Sequence, residues 1–292
     1  MKSIGRLILS AAGAIAAASL LSVPALGQPA KPLRTAHASA FERYGGVADH
    51  VNVRGGPFFA THQTLARVDS GQLGTGTLVD FEGDLGLETS TETARFDGYL
   101  RLGRRHQLRA GYISLSRGAS AQLNQQIQWG NDVFDVNAGV DTQVNLVLVP
   151  LSYRFAVVKS DRVDFGLSAG VFALFADASV AAPSAGINGA ESANFPLPVL
   201  GADIDIALAP RVFLVGGGDY FRLSLDQVDG SWSEFRGGLE VFLNRNVGVG
   251  AVYRQVNLNI DGTGALGGAT SGTDIFFDYE FKGPQVYLTL AL

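Results

Sequence analysis

The chain contains no cysteine. Disulfides, a thiolate nucleophile, thiolate metal sites and lipid attachment through cysteine are therefore excluded. Histidine is nearly absent: His37, His50, His62 and His106 are the only 4. Charged residues make up just 17% of the 292, and acids outnumber bases 27 to 22, for a net charge of -5. Lys2 and Arg6 sit in the leader described below, so the remainder is more acidic still. A nucleic-acid partner does not fit that balance. Beyond the leader, no apolar run approaches the roughly 18–20 residues of a membrane-spanning helix.

What the chain does have is 47% hydrophobic residues, 37 glycines and 18 phenylalanines, at a mean hydropathy of +0.18. That mean is too low for a bundle of helices in lipid. It suits a barrel, in which only alternate strand residues meet lipid. Abundant glycine suits twisted, curved sheet better than helix.

The N-terminus reads as an export signal. Met1-Lys2-Ser3-Ile4-Gly5-Arg6 is a basic start, residues 7–21 are an apolar core, and Val23-Pro24-Ala25-Leu26-Gly27 places small residues where a signal peptidase cuts. Ala36-His37-Ala38 is a second candidate cleavage site. Residues 1–27 are expected to be a signal peptide. Residues 28–75 hold no sustained period and are broken by Pro29, Pro32, Gly45, Gly46, Gly55, Gly56 and Pro57. They are expected to form a periplasmic N-terminal extension.

From 76 to 292 apolar residues recur at every second position, the period of a strand with two unlike faces. Strands are expected over 76–87, 93–102, 107–116, 144–155, 163–180, 196–209, 211–225, 232–244, 247–260 and from about 273 onward. Short turns near 104, 159, 210 and 245 alternate with longer breaks near 88, 130, 187, 229 and 266. Trp129-Gly130-Asn131-Asp132 reads as a hairpin turn within the second of these breaks. Short turns on one side and long loops on the other are the habit of bacterial membrane barrels. The expected fold is all-β, a closed antiparallel up-and-down transmembrane β-barrel of about ten strands over 76–292. Eight strands result if the first pair lies outside; twelve require 61–70 and one further strand.

Leu200, Ala202, Ile204, Ile206 and Leu208 alternate with Gly201, Asp203 and Asp205, and Phe235, Leu239, Val241 and Leu243 with Glu234, Arg236 and Glu240. Charge opposite hydrocarbon means an apolar exterior and a polar lumen. A one-residue slip would turn Asp203 and Asp205 to lipid together, so the charges specify register. The expected lumenal set is Arg95, Asp97, Arg101, Arg109, Arg154, Asp164, Asp203, Asp205, Glu234, Arg236, Glu240, Arg254, Asp278 and Glu280. Such a set is either a charged constriction in a narrow, porin-like channel or a paired network filling a closed lumen. In the last strand Phe277, Tyr279 and Phe281 are expected to face lipid, opposite Asp278, Glu280 and Lys282. A bulge at Gly283-Pro284 would then bring Val286, Leu288, Leu290 and Leu292 back to the same side. Tyr153, Phe155, Tyr220 and Tyr253 are candidates for interfacial girdles.

The stretch Val79-Asp80-Phe81-Glu82-Gly83-Asp84-Leu85-Gly86-Leu87, ending in Asp-Leu-Gly-Leu, and the alternating pattern after it resemble the small Gram-negative outer-membrane β-barrels. The group is the broad OmpA/OmpW-like one, in a poorly characterised branch that opens with this motif. The resemblance implies an outer-membrane location, contact with outer-membrane lipids including lipopolysaccharide, and insertion by the outer-membrane assembly machinery. It carries no activity. Members commonly end on an aromatic residue, whereas Tyr287-Leu288-Thr289-Leu290-Ala291-Leu292 keeps only the alternation.

No enzyme, cofactor or metal site is expected, and the protein is expected to be a monomer. Three histidines precede residue 76, and His106 falls on a short turn, so an external site lacks its base. Asp203/Asp205 and Glu82/Asp84 are carboxylate pairs that suit an acid pair or a salt-bridged wall. Gly216-Gly217-Gly218 lacks the Lys-Ser/Thr of a phosphate loop. Arg101, Arg104, Arg105, His106 and Arg109 suit a solvated rim, or one that meets anionic headgroups. Two alternatives to a structural or narrow-channel barrel stay open: an outer-membrane enzyme acting on lipid or peptide, and a soluble periplasmic lipocalin-like carrier. The carrier requires the apolar stripes inside and the charges outside.

Overall fold

The computed structural model describes residues 50–182, 187–225, 228–263 and 274–292. The expected signal peptide, the extension as far as residue 49 and parts of the breaks near 187, 229 and 266 lie outside the described residues. Ten strands form the wall: β1 (Val51–Val68), β2 (Ser90–Leu102), β3 (His106–Gln122), β4 (Gly139–Lys159), β5 (Val163–Ala182), β6 (Ile187–Ala209), β7 (Val212–Leu225), β8 (Val228–Phe242), β9 (Val247–Thr263) and β10 (Asp274–Ala291). Each pairs antiparallel with its neighbours in sequence, and β10 returns to β1, closing the sheet. Closure pairs the backbone groups that an open edge would leave bare in hydrocarbon. The tight turns after β2, β4, β6 and β8 share one end, called here the short-turn end.

The barrel begins at Val51, not at residue 76. The segment expected to precede it supplies β1, which pairs with β2 on one side and β10 on the other. Gly55, Gly56 and Pro57 interrupt its pattern without interrupting the strand. A Cβ on Gly56 would lie 2.1 Å from the Val286 carbonyl oxygen, so the glycine permits a close approach rather than a loop. Residues 76–87 are correspondingly not a spanning strand. Only Val79–Asp80 pairs with β1, at the long-loop end.

The outer wall carries a belt of exposed apolar side chains. It runs from Leu102, Phe155, Leu208 and Leu243 at the short-turn end to Phe59, Phe96, Tyr112, Phe175, Tyr220, Phe235 and Tyr253. Leu239 is 47% exposed while its neighbour Glu240 is 1% exposed, and Asp203 is 6% exposed. The hydrocarbon stripes are therefore outside, which removes the lipocalin-like alternative. Tyr220 and Tyr253 lie on the upper edge of the belt, Tyr153 and Phe155 toward the lower, as expected of girdles.

The strands are longer than the belt is tall. A tilted strand crosses hydrocarbon in about 9–11 residues, whereas β4, β5 and β6 have 21, 20 and 23. Above the belt the outer face turns polar, as in Gln255, Asn257 and Asn259 of β9, while Val256 and Leu258 between them are buried inside. The last strand obeys the same reversal, which corrects its expected orientation. β10 holds one register against β9 and β1 along its length, with no bulge at Gly283-Pro284. Val286, Leu288 and Leu290 are exposed outside, whereas Tyr279 and Phe281 point inward at 3% and 0% exposure. Shifts of register occur instead at Val212/Phe213 and Ala156/Val158, beside short turns.

Candidate functional site

The lumen is stacked in levels. At the short-turn end Phe213 packs edge-on to Phe242, their ring centroids 5.7 Å apart, with Ala207 and Ala291. Above them lies a chamber of about 150 Å³ with a charged wall. Of the expected lumenal residues, Arg95, Asp97, Arg101, Arg109, Asp164, Asp203, Asp205, Glu234, Arg236, Glu240 and Arg254 line it. Arg154 is buried behind that lining, bonded to two of its carboxylates. Asp278 and Glu280 are not there. They stand on the outer face of β10 above the belt, where Glu280 pairs with Lys282 in reach of water. The alternation was sound, but above the belt the charged side is the outside.

The charges are paired in three groups. Arg95 and Arg254 share Glu234 at 3.0 and 2.6 Å and share Asp97 at 3.3 and 3.1 Å; Arg254 also donates to Gln285 at 2.8 Å. Arg236 joins this group through Glu234 at 3.9 Å and reaches Asp219 at 2.7 Å. Arg109 grips Asp203 with two N–H groups at 2.8 and 3.1 Å, and Arg154 bridges Asp203 and Asp164 at 2.6 and 2.9 Å. Lys159 closes this group on Asp164. Arg54 holds Glu240 at 3.0 Å, and the Tyr287 hydroxyl donates to the same carboxylate at 2.9 Å. Forked guanidinium contacts fix both members of a pair more firmly than a lysine would. Small residues on the wall make room: a Cβ on Gly166 would sit 2.3 Å from the Arg154 guanidinium.

Arg54, Lys159, Asp219, Gln285 and Tyr287 belong to this network and were not singled out in the sequence. Arg54 lay in the stretch taken for an extension. Asp219 follows three glycines that hide its place opposite Tyr220, but counting in twos from Phe213 finds it.

Above the chamber the lumen is dry. Phe58, Ile113, Leu148, Leu174, Trp232, Val256 and Phe281, each at most 2% exposed, meet from opposite walls in one apolar layer. Over that layer lies a polar belt. His62 bonds the Tyr279 hydroxyl at 2.9 Å and the Thr91 hydroxyl at 2.7 Å. Arg117 donates to the Thr64 hydroxyl at 2.7 Å and forms an ion pair with Glu82. Glu82 also accepts from the Thr64 backbone N–H at 2.7 Å. It brings the 76–87 segment down into the mouth of the barrel.

That segment is where the Asp-Leu-Gly-Leu motif acts. The Asp80 carboxylate caps the backbone N–H groups of Glu82 and Gly83 at 3.1 and 3.0 Å, and Asp84 returns the contact to the Asp80 N–H at 3.0 Å. Gly86 has φ 72°, a left-handed conformation that suits glycine. The turn drives Leu85 and Leu87, with Val79 and Phe81, into a second apolar cluster. The hairpin Ile127–Trp129/Asp132–Phe134 folds over it, adding Ile127 and Phe134, and turns at Gly130-Asn131 as expected.

His62 thus lies inside the barrel rather than before it. Its ring is buried between two hydroxyls beneath the 76–87 segment.

No family model matches the chain, and no curated protein matches it. Solved structures do. The outer membrane protease OmpT from Escherichia coli superposes with a TM-score of 0.54 at 13% identity, covering 87% of this chain and 100% of that one. The toluene transporter TbuX from Ralstonia pickettii gives 0.37 at 10% identity, over 87% of this chain and 93% of that one. The outer membrane protein OprG from Pseudomonas aeruginosa gives 0.36 at 11% identity, over 86% and 98%. The first of these supports the architecture alone: this chain has the fold of an outer-membrane β-barrel.

Proposed function

We propose that this chain is an exported outer-membrane barrel whose lumen does not conduct. In this reading it is a rigid body, not an enzyme, that carries its long-loop end clear of the lipid. The short turns face the periplasm, following the habit of such barrels. Residues 1–27 serve as the signal peptide, lipids including lipopolysaccharide surround the belt, and the assembly machinery inserts a monomer. Placement in the OmpA/OmpW-like group belongs to the same proposal and rests on the Asp-Leu-Gly-Leu segment.

The observation that carries it is the apolar layer of Phe58, Trp232 and Phe281 and its neighbours across the lumen, sealed at 0% exposure for these three. Ions do not cross a dry layer of that kind, whatever charge lies beneath it. The narrow-channel reading needs a wet path through this level. The enzyme reading needs a base that a substrate can touch, and His62 has none of that access.

The test is conductance in a planar bilayer. Wild-type protein should insert, as shown by heat-modifiable mobility, and stay electrically silent. The double variant Trp232→Ala, Phe281→Ala should give steps. Regular steps from the wild type would end the proposal.

A further inference from the structure

The paired network leaves one carboxylate over. Asp97, Asp164, Asp203, Asp219, Glu234 and Glu240 each hold a cation within 3.3 Å. Asp205 lines the same chamber and has no hydrogen bond or ion pair among the described residues. It faces Asp164 across the β5–β6 pairing and stands two places from Asp203, so its immediate neighbours on the wall are acids already neutralised. Arg54 lines the same chamber. That guanidinium is committed to Glu240, yet its Nε–H is buried without an acceptor. The two side chains line one chamber, the first short of a cation and the second short of an acceptor.

The charge balance says what kind of molecule fits. The lumenal cations named above outnumber the carboxylates by one, with Asp205 included. A simple cation would neutralise Asp205 but add to that excess. A molecule carrying both charges satisfies Asp205 and the Arg54 Nε–H and changes nothing overall. The chamber's roughly 150 Å³ limits it to a few heavy atoms, and Phe172 and Val252 on the wall accept a short apolar side chain. The apolar layer above leaves approach to the short-turn end, past Phe213 and Phe242.

We propose that the chamber is a binding site for a small zwitterion of the α-amino-acid type, its ammonium on Asp205 and its carboxylate on Arg54. The site does not depend on whether the barrel conducts, so calorimetry here and conductance above can fail separately.

Calorimetry on the full-length protein in detergent, with glycine and alanine as probes, tests it. Saturable binding with Kd of about 1 mM or tighter is expected, with ethylammonium and acetate each much weaker. Asp205→Asn keeps the side-chain shape and removes no native contact, so the variant should retain heat-modifiable mobility. It should bind glycine roughly ten- to a hundredfold more weakly, the loss of one charged hydrogen bond. No heat with either amino acid would mean that water alone bridges the gap, and the proposal would be wrong. Ethylammonium binding as well as glycine would also overturn it, as would an Asp205→Asn variant that binds normally.

Discussion

Below Phe58 and Trp232 the lumen holds mainly arginines and carboxylates; above them it holds mainly phenylalanine, leucine and isoleucine, interrupted by the belt of His62, Arg117 and Glu82. The same ten strands line both halves. What differs is the medium outside the wall. Where the outer face meets hydrocarbon, polar side chains have only the interior to occupy, and they pair there. Where the wall stands in water, the ordinary rule returns and the apolar face turns in. A single alternation therefore changes meaning at the upper edge of the belt, between Tyr253 and Gln255 on β9 and between Pro284 and Lys282 on β10.

Four substitutions probe that contrast, from the largest expected effect to the smallest, and a fifth serves as the reference for the last. Arg154→Leu removes the guanidinium that joins Asp203 to Asp164, leaving each a single cation, Arg109 and Lys159, and should cost about 3 kcal/mol, measured by reversible urea unfolding in lipid vesicles. A loss under about 1 kcal/mol would mean that this half is wet enough not to need its pairs. Phe281→Ala, in the dry half, should cost about 3 kcal/mol through the cavity it leaves. An unchanged unfolding midpoint would show that the layer is already loosely packed.

Glu82→Gln removes the partner of Arg117 and should cost roughly 1–3 kcal/mol. Its mark is local: limited proteolysis should cut within 76–87 while the barrel stays intact. Equal resistance to protease would show that Leu85 and Leu87 hold the segment unaided. Glu280→Gln lies outside the wall and should change stability by less than about 0.5 kcal/mol. Glu234→Gln, its counterpart in the chamber, should cost several times more. Equal effects of the two would place Glu280 inside after all and undo the correction to β10.

Nine of the ten strands were legible in the sequence because alternation survives wherever one face touches lipid. The first was not. Gly55-Gly56-Pro57 looks like a break, and only the neighbouring backbone of β10 shows why glycine is wanted there. Thr61 and Gln63 do not meet lipid: they stand on the projecting part of β1. Most of the charged chamber could be named in advance, since within the belt an acid opposite leucine has one place to go. The partner of each charge could not be named. Arg95 meets Glu234 across 139 positions, a contact set by closure and stagger rather than by any local pattern. The inward turn of 76–87 was hidden for a similar reason, because Val79 and Phe81 alternate with Asp80 and Glu82 like any strand.

The seam between β1 and β10 carries a consequence for biogenesis. Its pairs run from Asn52 with Ala291 to Val68 with Ile275. The first staves of the wall must therefore wait, unmatched along one side, until the last strand is in place. During that interval the nascent hairpins expose bare strand edges, the surfaces most prone to coalesce with a stranger. A polypeptide stopped short of Asp274 would never lose that hazard.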